Sequence, residues 1–162
     1  MLGAMMTAPT DAIPESWHRF FAATSNNVAW PLTEGDDPST RAALLDAAHA
    51  SAWHWKQAGT ELHRMRATML LALAHAVVGH GDTALRYADE MRAFFLAKTD
   101  APDWELAYTH TVHAQAAAVA GRADAHAASY AAAQAALAAI ADPEDRAIVE
   151  ATFSRVPRPA AT

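Results

Sequence analysis

The stretch Ala74-His75-Ala76-Val77-Val78-Gly79-His80-Gly81-Asp82-Thr83-Ala84-Leu85-Arg86-Tyr87-Ala88 decides the fold. Apolar residues leading into it recur at the helical period, as Leu62, Met65, Met69, Ala72, Leu73 and Ala76. Gly79 stands where that helix must stop, because glycine adopts the left-handed conformation that closes a last turn at little cost. Asp82 and Thr83 then open a second helix. A side-chain acceptor satisfies the free N–H groups of a first turn, and an acid suits its positive dipole end. The segment therefore reads as a helical hairpin.

Working outward, a shift of 42 residues lays Gly79 on Gly121 and Asp82 on Asp124. The same shift lays helix 61–79 on 103–120 and helix 82–97 on 122–140. A further shift backward brings in 38–58 and 14–30, and 143–155 remains as a last helix. Pro14, Pro31, Pro38, Gly59, Pro102 and Pro143 punctuate these pieces, and no segment alternates long enough to be a strand. Asp37-Pro38 and Asp142-Pro143-Glu144-Asp145 are further helix starts. From Ala114 to Ala141, 17 of 28 residues are alanine, which favours helix and lets two helices approach closely. The reading is an all-α array of three antiparallel helical hairpins plus a C-terminal capping helix. That helix offers Glu144, Asp145, Arg146, Glu150 and Arg155 as a polar outer face. Residues 14–156 form one helical-repeat domain, between a disordered N-terminal segment 1–13 and a disordered tail 157–162.

The Ala74–Ala88 junction resembles the tetratricopeptide repeat. A small residue ends the first helix, Gly-Asp opens the second, and an apolar pair and an aromatic follow. Val119-Ala120-Gly121-Arg122-Ala123-Asp124 is a weaker copy. The period here is 42 residues instead of about 34, and the closing proline of that repeat is missing. The chain also resembles a group of uncharacterised bacterial proteins of this size, through Asn26-Asn27…Trp30, His49…His54-Trp55 and Ile140-Ala141-Asp142-Pro143-Glu144-Asp145-Arg146. These resemblances imply a TPR-like helical repeat and carry no activity.

Composition excludes several classes of function. The 162 residues carry 12 Lys plus Arg against 18 Asp plus Glu, a net charge of −6. Such a chain, without a basic run, is a poor partner for nucleic-acid phosphates. It contains no cysteine, which removes disulfides, thiolate catalysis and cysteine zinc sites. Its longest mostly apolar stretch, Met69 to Val78, falls well short of the roughly 20 residues a membrane span needs. No basic segment precedes a hydrophobic one at the start, so the expected location is cytoplasmic.

The candidate site follows from the repeat register. Arg64, Thr68, Leu71 and His75 lie opposite the apolar stripe of their helix, within about 60° of one another. The 42-residue shift maps them onto Leu106, His110, His113 and Ala117, and backward onto Asn26 and Ala29. Equivalent helices of stacked hairpins present equivalent faces, so these residues are expected to line one concave groove. With His54 at its edge, the expected lining is Asn26, His54, Arg64, Thr68, His75, His110 and His113. His110-Thr111-Val112-His113 presents two imidazoles from one helical face, and His75 could add a third nitrogen to a divalent metal such as Zn. Glu105 points away from this pair on the helical wheel. His63, His80 and His126 read as surface residues, and Trp53 as a partly exposed residue able to anchor a partner.

No phosphate-binding glycine loop, nucleophile elbow or catalytic residue can be assigned. The leading reading is therefore a non-enzymatic, protein- or peptide-binding helical-repeat module, with a second copy of itself (a homodimer) as another partner and neither nucleic acid nor membrane. It needs no cofactor. The alternative is a small-molecule or metal-binding protein, enzyme or not, built around His75, His110 and His113.

Overall fold

The computed structural model describes residues 7–8 and 13–160. Most of the N-terminal segment expected to be disordered, and the last two residues, lie outside the described residues. Seven α-helices follow one another: α1 (Pro14–Thr33), α2 (Arg41–Ala58), α3 (Glu61–Val77), α4 (Gly81–Ala97), α5 (Asp103–Val119), α6 (Ala123–Ala139) and α7 (Pro143–Phe153). A short 3-10 turn, Pro38–Thr40, precedes α2. The fold is all-α, and the described residues include no strand. No described helix is long and apolar enough to cross a membrane.

The repeat is visible in the backbone. Both ends of α3 and α5, and both ends of α4 and α6, are offset by 42 residues. Gly79 and Gly121 take φ values of 87° and 68°, the left-handed region where a side chain is strained. Behind them the His80 N–H donates to the His75 carbonyl at 2.9 Å, and the Arg122 N–H to the Ala117 carbonyl at 2.9 Å. These are equivalent helix-closing turns. Gly81 serves another purpose. A Cβ there would lie 2.6 Å from the Val119 carbonyl oxygen, so only glycine lets the start of α4 touch the end of α5.

Local signals place the remaining boundaries. Thr60 and His63 form a reciprocal capping box at the start of α3. The Asp142 carboxylate accepts from the Glu144 and Asp145 N–H groups at 2.8 and 3.2 Å. Two expectations are corrected. Helix α4 starts at Gly81, with His80 as a cap that makes no side-chain bond, so Asp82 lies in its first turn. Helix α1 does not end at Trp30; it passes through Pro31 to Thr33, because a proline in the last turn forfeits little of the helical ladder.

Consecutive helices pair as α1/α2, α3/α4 and α5/α6, and α1, α3, α5 and α7 lie side by side as one layer. Two apolar clusters hold the layers together. Leu44, Ala48, Leu70, Leu71 and Ala74 join α2 to α3. Met69, Leu73, Met91, Phe95, Val112 and Val149 join α3, α4, α5 and α7. Each large side chain fully buried there contributes about 1.5–3 kcal/mol of transfer free energy. Because α3 belongs to both clusters, residues 67–76 are buried around the whole helix. The stripe expected to face outward therefore packs inward: Thr68, Leu71 and His75 are buried. Helix α7 is more than a polar cap, since its Val149 and Thr152 are buried. Just beyond it, Arg155 forms an ion pair with Asp36, so the last helix is tied back to the segment that follows α1.

Candidate functional site

The layer of α1, α3, α5 and α7 borders a cleft of about 710 Å³ that opens to solvent. Its walls are mostly apolar, with Trp30 from α1, Met69 from α3, Trp104 and Tyr108 from α5, and Ile148 from α7. The aromatic rings brace one another. Trp30 meets Tyr108 edge-on at 5.4 Å between centroids, and Trp104 meets Tyr108 at 6.4 Å. The Tyr108 hydroxyl donates to the Ile148 carbonyl at 3.1 Å and lies 3.3 Å from the Thr152 hydroxyl, which fixes α7 against α5. Burial, with the nearby Glu34 carboxylate adding to it, pushes the Tyr108 phenol above its ordinary pKa. That residue stays a neutral donor.

One charged pair stands in this apolar setting. The Arg66 Nε donates to Glu105 Oε1 at 2.6 Å, and the guanidinium lies 5.5 Å from the centre of the Trp104 ring. Glu105 is 1% exposed while the Arg66 side chain is 43% exposed, so the pair leads from the cleft wall toward solvent. The second carboxylate oxygen, Oε2, is buried and has no hydrogen-bond partner. A buried acceptor without a partner is rare, because its lost hydration is not replaced. The other polar residues of the cleft are Asn26, Asn27, Glu34 and Asp145.

The expected groove residues divide differently. Asn26 lines the cleft. Arg64 is exposed and donates to the Gly59 carbonyl, and Thr68 returns its hydroxyl to the Arg64 carbonyl. His54 belongs to a cluster at the far end of α2, with its Nδ1 2.8 Å from that of His18 and its ring beside Trp53 and Phe21. The remaining imidazoles point from the first layer into the second. His75 sits between His49 of α2 and His80, at 3.1 and 3.2 Å, with its ring stacked on Tyr87 of α4. Burial, then the neighbouring His49, His80 and Arg86, lowers its pKa to about 4. His110 is half-buried with an unpartnered Nδ1, and burial, then Arg92 and His113, depresses its pKa.

His113 lies between Asp89 of α4 and Ser129 of α6, at 2.9 and 2.8 Å. The carboxylate can only accept, so Nε2 carries the proton and Nδ1 accepts from the Ser129 hydroxyl. Burial depresses the His113 pKa against the opposing pull of Asp89. A serine, a histidine and an aspartate in line suggest a hydrolytic triad, but the exposures are reversed. Ser129 is 2% exposed and the Asp89 side chain 64% exposed. A nucleophile sealed inside and an acid held in solvent describe a structural link between α4, α5 and α6. His75 and His113 thus serve separate hydrogen-bond sets on α3 and α5. Among the described residues, no three His, Cys, Asp or Glu side chains converge as a group able to hold a metal ion. His126 is also not a surface residue; it is buried and donates to the Pro157 carbonyl, which holds the start of the expected tail.

No family model matches the chain, and neither does any curated protein or solved structure.

Sequence reasoning missed Trp30, Arg66, Met69, Trp104, Glu105 and Tyr108 as a common wall. A signal was available. The 42-residue shift lays Arg66 on Tyr108, and Trp104 and Glu105 sit one turn before Tyr108 on the same helix. Treating α3 as two-faced assigned the open side to the polar stripe, when the second layer covers that stripe.

Proposed function

We propose that this chain is a non-enzymatic binding module whose working site is the cleft between α1, α3, α5 and α7, and that it holds one small organic molecule. The observation that carries this reading is an apolar, aromatic-walled cleft of about 710 Å³ containing one ion pair whose carboxylate is buried. Sites for small ligands are concave, largely apolar, on the order of 300–1,000 Å³, and carry a few placed polar groups. A small molecule suits this cleft better than the peptide expected from the repeat. An extended peptide needs an open trough, whereas here α7 flanks the cleft together with α1, α3 and α5. Catalysis is not part of the proposal, because the wall offers no nucleophile paired with a base.

The test is titration with Nile red, a neutral dye that brightens in apolar surroundings. The expected result is saturable binding of one equivalent. Ala147→Trp should abolish it, since Ala147 lines the cleft from an exposed position on α7, where an indole obstructs the space without disturbing the core. Dye binding that survives Ala147→Trp unchanged contradicts the proposal.

A further inference from the structure

Glu105 lines the cleft, with one carboxylate oxygen engaged by Arg66 and the other, Oε2, sealed beneath the surface of the wall without a partner. A carboxylate can only accept hydrogen bonds, so whatever completes this site must donate one. The charges around it narrow the choice. The cleft is lined by three acids, Glu34, Glu105 and Asp145, against Arg66 alone. Arg66 is already committed to Glu105 and to the face of Trp104. An anionic ligand would meet Glu34 and Asp145, while the cation of the wall, Arg66, is already balanced by Glu105. A cationic ligand would meet the negative faces of Trp30, Trp104 and Tyr108, which attract cations, and would reach the free oxygen of Glu105 once the side chains over it shift. Of the residues in the wall, the aromatic and aliphatic ones leave room for a body that is itself apolar.

We propose, resting on the reading of the cleft as a small-molecule site, that its ligand is a protonated amine on an apolar or aromatic body, with its N–H donating to Glu105 Oε2. The apolar body fills the space between Trp30, Met69, Trp104 and Ile148. The exposed Glu34 and the half-buried Asp145 supply the longer-range attraction. Glu105 is then the residue that sets specificity, and Arg66 holds its carboxylate in place from the solvent side.

The experiment is calorimetric titration of the full chain with four probes of matched skeleton: phenethylamine, its trimethylammonium counterpart, phenylethanol and phenylacetate. A hydrogen bond to a charged group, added to favourable charge, corresponds to a preference of about tenfold or more for phenethylamine over phenylethanol. The trimethylated probe keeps the charge but has no N–H, so it should bind more weakly than phenethylamine. Phenylacetate should bind least. Glu105→Gln should bring the amine-to-alcohol ratio close to one. Because that change also leaves Arg66 without its partner, the exposed Glu34→Gln serves as a second variant, expected to lower the ratio by a smaller factor in a protein of unaltered fold. Equal binding of amine and alcohol would overturn the ligand class, while Nile red binding would leave the cleft reading standing. If neither Nile red nor any of the four probes binds, both proposals fail.

Discussion

Acidification should weaken this fold by an amount that can be assigned to one ring. His75 is buried between His49, His80 and Tyr87, and its pKa is lowered from 6.5 to about 4, first by burial and then by His49, His80 and Arg86. Above the unfolded value both states hold a neutral ring and the group has no effect. As the pH falls through that value, the unfolded chain takes up a proton that the folded one refuses, so stability declines. The loss is complete once the pH is below the folded value. From those two pKa values, the loss between about pH 7.5 and about pH 5 is roughly 2 kcal/mol, rising to about 3 kcal/mol at lower pH. The pKa values of His54, His63, His110 and His113 are also lowered, so the wild type should lose more than this in total. His75→Gln isolates the single contribution. The variant should start less stable near neutrality, having lost its hydrogen bonds and its stacking on Tyr87. Its stability should then fall by about 2 kcal/mol less on acidification. Urea unfolding at the two pH values, with a common slope, measures both quantities. If wild type and variant lose equal stability, the buried neutral imidazole described here is not present.

Two further substitutions test the packing around the cleft. Arg66→Met strands the Glu105 carboxylate, and breaking a buried pair from one side costs about 3–5 kcal/mol. The solvent exposure of Arg66 places this case at about 3 kcal/mol or below, with Arg66→Met/Glu105→Gln recovering part of the loss in a double-mutant cycle by urea unfolding. Gly81→Ala drives a Cβ into the backbone at Val119 and Ala120. It should cost about 1–3 kcal/mol and lower the thermal midpoint by several degrees; an unchanged midpoint would mean that α4 and α5 are not in contact there.

The fold was largely legible because its determinants are local. Gly79 and Gly121, the caps at Thr60 and Asp142, and the alanine-rich run each act over a few residues, and their spacing fixes seven helices and the 42-residue repeat. The failures lie where a third dimension decides. Pro31 reads as a helix end, yet α1 continues past it. Thr68 and His75 form a polar stripe, and such stripes usually face water. Here α2 and α4 cover that side of α3, and the buried polar groups are satisfied by the Arg64 carbonyl, His49 and His80. Met69 reads as core and is core, but it also reaches the cleft wall. The pairing of Arg66 with Glu105 spans 39 residues and has no one-dimensional signature. Spacing alone could align helices without revealing which side of the layer remains open.

The five tryptophans provide the most direct test of the claim that the cleft is the binding site. Each indole N–H gives its own nuclear magnetic resonance signal, and only Trp30 and Trp104 line the cleft. Titration with phenethylamine should move those two signals together and leave those of Trp17, Trp53 and Trp55 in place. Shifts centred on Trp53, which is 54% exposed on α2, with Trp30 and Trp104 unmoved, would locate binding on the other layer and contradict the account.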